Sequence, residues 1–188
     1  MAAEPRRKSA IGLRLSLTKH EPEIWRRLLV PGDIKLSRLH AVLQAAMGWQ
    51  DHHLHGFEIA GQRFELPDED GDGDEDAIDE DSVTLSELVE AGSRFQYEYD
   101  FGDGWDHEVV VETVEEVPQV LKQAICLDGE RACPPEDSGG VGGYAEFLRA
   151  IGDPDHPEHR DSLAWVGGTF DPEAFGLAAA NAALQRVR

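Results

Sequence analysis

The sequence predicts an α+β fold: one domain, with a largely antiparallel sheet built from successive β-hairpins and helices packed on it. Three observations carry that reading. Apolar residues alternate with polar or small ones at Ile11, Leu13, Leu15 and Leu17, the period of a half-buried strand. Leu36, Leu39, Leu43 and Met47 recur at helical spacing. Turn-forming residues at Lys19-His20-Glu21-Pro22, Ala60-Gly61-Gln62 and Asp103-Gly104 fold the apolar runs back on themselves.

In order, the first strand returns after its turn as a second from Ile24 to Val30. A helix follows over about 35–47, with Gly48 placed to end it in a left-handed conformation and Trp49 to fold back on its last turn. The next hairpin runs from His53 to Ile59 and from Arg63 to Leu66. Residues 68–81 hold ten acids in 14 positions, which repel one another and should form a mobile loop. Thr84-Leu85-Ser86-Glu87 has the form of a capping box and opens a short helix to about Ala91.

Phe95, Tyr97, Tyr99 and Phe101 alternate, giving a strand with one aromatic face, and His107 to Glu115 pairs back on it. The Asp103-Gly104 step supplies the positive φ angles of a tight hairpin. Ala124 to Leu127 reads as a last strand, and Tyr144 to Ile151 as a helix with Phe147, Leu148 and Ile151 inward. Asp171 as N-cap with Pro172 at the first helical position opens a final helix to about Val187. No linker or second domain is expected in residues 10–188, and residues 1–9 read as a disordered tail.

Charge and cysteine usage bound the function. A net charge of −21 repels phosphate backbones, so nucleic acid is disfavoured and a cation or basic partner favoured. No apolar run approaches the roughly 20 residues of a membrane span, and no apolar segment follows the basic Arg6, Arg7 and Lys8 of the first residues. Two cysteines without an export signal fit a cytoplasmic protein with free or metal-bound thiols.

Several constellations could carry chemistry. Asp100, Asp103, Asp106 and His107 crowd around one turn with Trp105, as a cation site or an acid–base pair would require. The competing reading is structural, since aspartates in tight turns accept hydrogen bonds from their own backbone. Glu136 and Asp137 place adjacent carboxylates in the stretch from Cys133 to Tyr144, whose glycines permit close backbone approach. That loop lacks the lysine of a phosphate-binding loop, and its acids would repel phosphate. An ordered loop packed on the aspartate hairpin is therefore expected.

Cys126 and Cys133 with His156 and His159 form a tetrahedral zinc set by residue type, although their spacing of six is wide. Asp51, His52, His53 and His55 form a histidine cluster in which His53 and His55 share a strand face with Phe57 and Ile59, as rim residues or as a site with His107, and His52 points the other way. Asp68, Asp70, Asp72, Gly73, Asp74, Asp76 and Asp79 match the ligand positions of a calcium-binding loop. Here the twelfth position is too short for the usual bidentate glutamate, Leu66-Pro67 is a poor end to an entering helix, and a solvated loop is the favoured reading. Asn181 shares a helical face with Leu177 and Leu184, as a hydrogen-bonding group fixing that helix would.

The motifs resemble the plasmid pRiA4b ORF-3-like proteins, a family sometimes labelled as insertion-element passengers of TnpR type. The resemblance runs from about Ile24 to Leu184. It rests on Trp25, Leu39-His40 to Gly48-Trp49, and His53-Leu54-His55 with Phe57. In the second half it rests on Tyr99-Asp100-Phe101-Gly102-Asp103 with Trp105 and His107, then Cys126, Gly129 and Cys133-Pro134-Pro135-Glu136-Asp137. Gly143-Tyr144, Asp153-Pro154, His156, His159, Trp165 and Phe170-Asp171-Pro172 complete it. Phe64 stands where such a protein is expected to carry a tyrosine. The resemblance implies a compact α+β domain associated with mobile elements, with no established activity and no catalytic residue to transfer. No serine-resolvase apparatus accompanies the TnpR label.

Two functional readings follow. The first is a module that binds a protein or small ligand through Asp100, Asp103, Trp105, Asp106, His107, Glu136, Asp137, His53 and His55. The second is a metal-dependent hydrolase in which His53, His55, Asp100, Asp103 and His107 hold zinc or another divalent cation and Glu136 or Asp137 acts as base. No cofactor is required by the first, and the oligomeric state is open.

Overall fold

The alternating and helical patterns resolve into one eight-stranded sheet among the described residues, with helices laid on it. The structure is a computed structural model that describes residues 9–67 and 76–187. Strands β1 (Ser9–Leu17), β2 (Trp25–Pro31), β3 (His55–Ile59) and β4 (Gln62–Glu65) come from the first half. Strands β5 (Ile78–Asp79), β6 (Arg94–Tyr99), β7 (Trp105–Glu116) and β8 (Ile125–Glu130) complete the sheet. Their order is β5-β4-β3-β6-β7-β1-β2-β8, antiparallel throughout except for the β4–β5 pair.

The alternation in β1 buries Ile11, Leu13, Leu15 and Leu17, each at most 3% exposed. Each such side chain contributes roughly 1.5–3 kcal/mol relative to exposure. Helix α1 (Leu36–Met47) lays Leu36, Leu39, Leu43 and Met47 in the same core. It stops at Gly48, whose φ of 107° lets its N–H reach the Gln44 carbonyl at 2.8 Å. The remaining helices are α2 (Leu85–Leu88), α3 (Gly140–Gly152), α4 (His159–Trp165) and α5 (Leu177–Leu184). Thr84 and Glu87 close the expected capping box at the start of α2.

Several elements differ from expectation, each for a local reason. The last helix starts at Leu177 rather than Pro172: the Asp171 carboxylate accepts from the Glu173 N–H at 3.0 Å as an N-cap would, but only a turn follows it. Helix α3 begins at Gly140, four residues before Tyr144, and α4 is an additional helix. Phe101 leaves the aromatic face of β6 and is 40% exposed, since Asp100 turns the chain at a φ of 56°. The β6–β7 turn is longer than a two-residue hairpin. Its positive φ angles fall at Asp100 and Gly104, and the Gly104 N–H closes it on the Asp100 carbonyl at 2.6 Å.

The expected tail lies outside the described residues except for Ser9, which opens β1. So does most of the acidic run, with Asp68, Asp70, Asp72 and Asp74 of the calcium-loop pattern. Its end is a built element, not a loose loop. Ile78 and Asp79 pair with β4, and Glu80 to Ser82 form a 3-10 turn with Glu80 fully buried.

Two motif loops are joined at one close contact. The Gly139 N–H donates to Asp103 Oδ2 at 2.9 Å, and Gly140 packs on the Asp103 backbone. A Cβ at Gly140 would stand 2.4 Å from the Asp103 carbonyl oxygen, at a φ of +67°. Gly140→Ala should therefore lower the unfolding free energy by at least about 2 kcal/mol in urea titration. Gly142→Ala, in the same helix with nothing within 4 Å, should raise it by roughly 0.5–1 kcal/mol. Equal effects of the two changes would rule out the close approach.

Candidate functional site

The turn after β6 and the loop before α3 meet the segment entering β3, and carboxylates from all three surround histidines. Asp100 Oδ1 accepts from the N–H groups of Gly102 (3.0 Å) and Asp103 (3.2 Å), the Asx turn expected of an aspartate there. Its other oxygen, Oδ2, lies 3.6 Å from His53 Nε2. Asp137 Oδ1 lies 3.0 Å from the same nitrogen. Yet His53 Nε2 is buried and lacks a hydrogen bond. His53, Asp100 and Asp137 offer ligand atoms within 4.8 Å of one another, a set of one imidazole and two carboxylates suited to a divalent cation.

Glu136 does not join them. Its Oε1 accepts from the Gln50 N–H at 2.7 Å and from the Tyr99 hydroxyl at 3.1 Å, so it orders the loop. Tyr99 in turn accepts from the His52 N–H at 3.0 Å. Beside a carboxylate and largely buried, the Tyr99 phenol is held well above its usual range, first by desolvation.

A second cluster sits behind the first. His40 on α1 and His55 on β3 stack with ring centres 3.3 Å apart and planes at 7°. Gln44 Nε2 donates to the Tyr97 hydroxyl at 2.9 Å, so the phenol hydrogen goes to His40 Nδ1, also at 2.9 Å. His40 Nε2–H then donates to Asp51 Oδ1 at 2.7 Å. His55 Nε2 lies 3.0 and 3.1 Å from the two oxygens of buried Glu80. Burial, with His55 adding to it, lowers the His40 pKa to about 4 against the pull of Asp51. His40 is neutral at pH 7.

Other candidate residues take structural places. His107 is fully buried, its Nδ1 on the Tyr97 carbonyl at 3.2 Å and its ring against Trp49. Desolvation lowers its pKa to about 4. Trp105 is core, Asp103 ties the two loops, and Asp106 pairs with Lys19 at 2.5 Å. The grouping of His53, His55 and His107 is thus corrected. Leu54 and Asp51 precede β3 outside the strand, so strand alternation does not apply at His53.

The cysteine–histidine set does not assemble among the described residues either. Cys126 sits on β8, where Asn181 pairs with its N–H (3.0 Å) and its carbonyl (2.9 Å). His156 meets Glu146, His159 meets the Ala150 carbonyl at 2.8 Å, and Cys133 lines a separate groove. Both cysteines are free, and burial pushes both thiols up. That groove, about 680 Å³, lies between the end of α1, the Cys133–Asp137 loop and α5.

The motifs and topology have counterparts. The plasmid pRiA4b ORF-3-like protein family model matches residues 9–179. The chain belongs to this family. The uncharacterized protein y4hQ of Sinorhizobium fredii is 42% identical over 181 residues, 94% of this chain and 91% of that one. A crystal structure of a protein of unknown function, MM3350 from Methanosarcina mazei Go1, superposes with a TM-score of 0.82 at 35% identity. It covers 91% of this chain and 97% of that one. Neither pRiA4b ORF-3-like relative brings an activity with it. Among the described residues, no helix is long and apolar enough to cross a membrane.

In this pRiA4b ORF-3-like chain, His40, Gln44, Glu80 and Tyr97 lie around the histidines although pattern reading passed them over as site residues. His40 and Gln44, four apart and on the same buried side of α1 as Leu36, are the signal that could have found them. Two neutral buried histidines also set an acid limit. Below pH 6.5 an unfolded histidine takes a proton that folded His40 or His107 refuses until about pH 4. Their contribution is complete above pH 6.5 and falls away toward pH 4. Each should cost about 2 kcal/mol between pH 7 and pH 5. In urea titrations at both values, His107→Phe should lose about 2 kcal/mol less than the parent; an unchanged difference would show that His107 is charged when folded.

Proposed function

We propose that this chain is a binding module organised around a divalent-cation site made by His53, Asp100 and Asp137. The observation that supports it is His53 Nε2, buried, without a hydrogen bond, and flanked by two carboxylate oxygens at 3.0 and 3.6 Å. With Nδ1 protonated, Nε2 presents a lone pair to the space the carboxylates share. Asp137 is 69% exposed at its side chain, so a bound cation keeps open positions for a ligand from solvent. Zinc or manganese suits one nitrogen and two oxygens. The net charge of −21 concentrates cations around the molecule and disfavours nucleic acid. Free cysteines agree with a cytoplasmic protein, and the plasmid origin in the family's name with service to a mobile element.

The hydrolase reading has less support. Glu136, its best base, already accepts two hydrogen bonds at Oε1, and His55 and His107 lie in other environments. The expected outcome is one zinc or manganese ion per chain in calorimetric titration of metal-free protein. Binding should weaken by at least about tenfold in Asp100→Asn/Asp137→Asn and persist in Cys126→Ser/Cys133→Ser. A double aspartate variant that binds as tightly as the parent would end this reading.

A further inference from the structure

The groove between the end of α1, the Cys133–Asp137 loop and α5 has a volume of about 680 Å³, within the range of small-molecule sites. Its walls are apolar and aromatic. Met47, Trp49, Trp165, Phe170 and Phe175 line it, and Ala179, Ala180 and Ala183 of α5 leave the space between them. Trp165 is 50% exposed, an aromatic ring left open to solvent in the groove wall. An aromatic body is what such walls cover with most gain.

Asp137 joins this groove to the proposed cation site. It lines the groove, and with His53 and Asp100 it offers ligand atoms within 4.8 Å of one another. Its side chain is 69% exposed, so positions left open on an ion there are reached from the groove.

Charge decides the head group of a ligand. A divalent ion with two carboxylates is electrically balanced, and a further carboxylate, Glu136, also lines the groove. Arg26 is the groove's one lysine or arginine among the described residues, and its N–H groups go to the carbonyls of Trp25, Ala46, Glu130 and Arg131. An anionic head would therefore meet Glu136 with no uncommitted guanidinium to receive it. An ammonium has no lone pair for the ion. A neutral nitrogen completes the coordination of zinc without adding charge.

We infer that the groove binds a small molecule with an aromatic body and an imidazole-type nitrogen, the nitrogen on the ion and the body against Trp165, Phe170 and Phe175. This rests on the cation reading of His53, Asp100 and Asp137, and it adds the class of ligand. A concave space of this size closes around a small molecule, whereas a protein partner needs a broader contact.

The test is calorimetric titration at about pH 8, where imidazoles are neutral, of metal-free protein and of protein loaded with zinc. The probe is N-benzylimidazole; imidazole alone and phenylpropanoate separate its head from its body. Zinc-loaded protein should bind one probe per chain with a Kd of roughly 0.1 mM, at least about tenfold tighter than metal-free protein binds it. It should prefer the probe to either comparison compound by the same margin. Trp165→Ala and Ala179→Leu, both at exposed positions, should each weaken the probe at least about threefold and leave zinc affinity within about twofold of the parent. Parent protein that takes up no zinc, or zinc kept by Asp100→Asn/Asp137→Asn, overturns the cation reading and this inference with it. Zinc uptake with equal probe affinity in loaded and metal-free protein overturns this inference alone. So does phenylpropanoate that binds as tightly as the probe, or undiminished binding in both groove variants. The peptide acetyl-Phe-His-Phe-amide binding at least about tenfold tighter than the probe would give the groove to a protein partner and overturn it too.

Discussion

A buried guanidinium sets where the parts of this fold must meet. Arg26 on β2 is 2% exposed and charged at any pH that proteins experience, although burial works against its charge. Its four hydrogen bonds all go to backbone carbonyls: Ala46 at the end of α1, Trp25, Glu130 at the end of β8, and Arg131 beyond it. Leaving such a charge unsatisfied would cost several kcal/mol. The end of α1, the edge of β2 and the start of the Cys133–Asp137 loop are thereby gathered around one side chain. Phe175 closes the arrangement, its ring centre 4.4 Å from the guanidinium carbon. From that anchor the loop reaches Trp49, whose indole N–H donates to the Pro134 carbonyl at 3.0 Å, and then the histidine clusters.

Three of the four carboxylates nearest those histidines share a backbone signature. Asp51, Asp100 and Asp137 have φ angles of 59°, 56° and 56°, in the left-handed region that L residues rarely adopt. Aspartate tolerates this better than most residues, but each position still costs of order 1 kcal/mol. Hydrogen bonds hold two of them: the Asp51 N–H donates to Gln44 Oε1 at 3.0 Å, and the Asp100 N–H to the Leu54 carbonyl at 2.8 Å. The backbone thus fixes each carboxylate toward a histidine, Asp51 toward His40 and Asp100 and Asp137 toward His53.

The regular elements were legible in the sequence because their residues follow a period that burial enforces. Ile11 to Leu17 and Leu36 to Met47 are the plainest cases. What was not legible depended on breaks in period. His53 and His55 are two apart, which on a strand means one face. The chain enters β3 only at His55, so His53 turns to Asp137 while His55 turns to Glu80. Glu80 was hidden by its own composition, one acid in a run of ten that reads as solvated. Two residues pairing with β4 are enough to turn it inward. Asp171-Pro172 misled for the opposite reason, since a strong local helix signal was spent on a turn that the Asp171 carboxylate completes.

Charge binds these features together. A chain of net −21 destabilises itself by repulsion, and the repulsion is worst where carboxylates are buried, as at Glu80 and Asp100. Each has met this with a histidine rather than a lysine or arginine, a partner that is neutral or charged according to surroundings. A neutral histidine beside a carboxylate leaves that carboxylate's charge in place, as at His40 and Asp51.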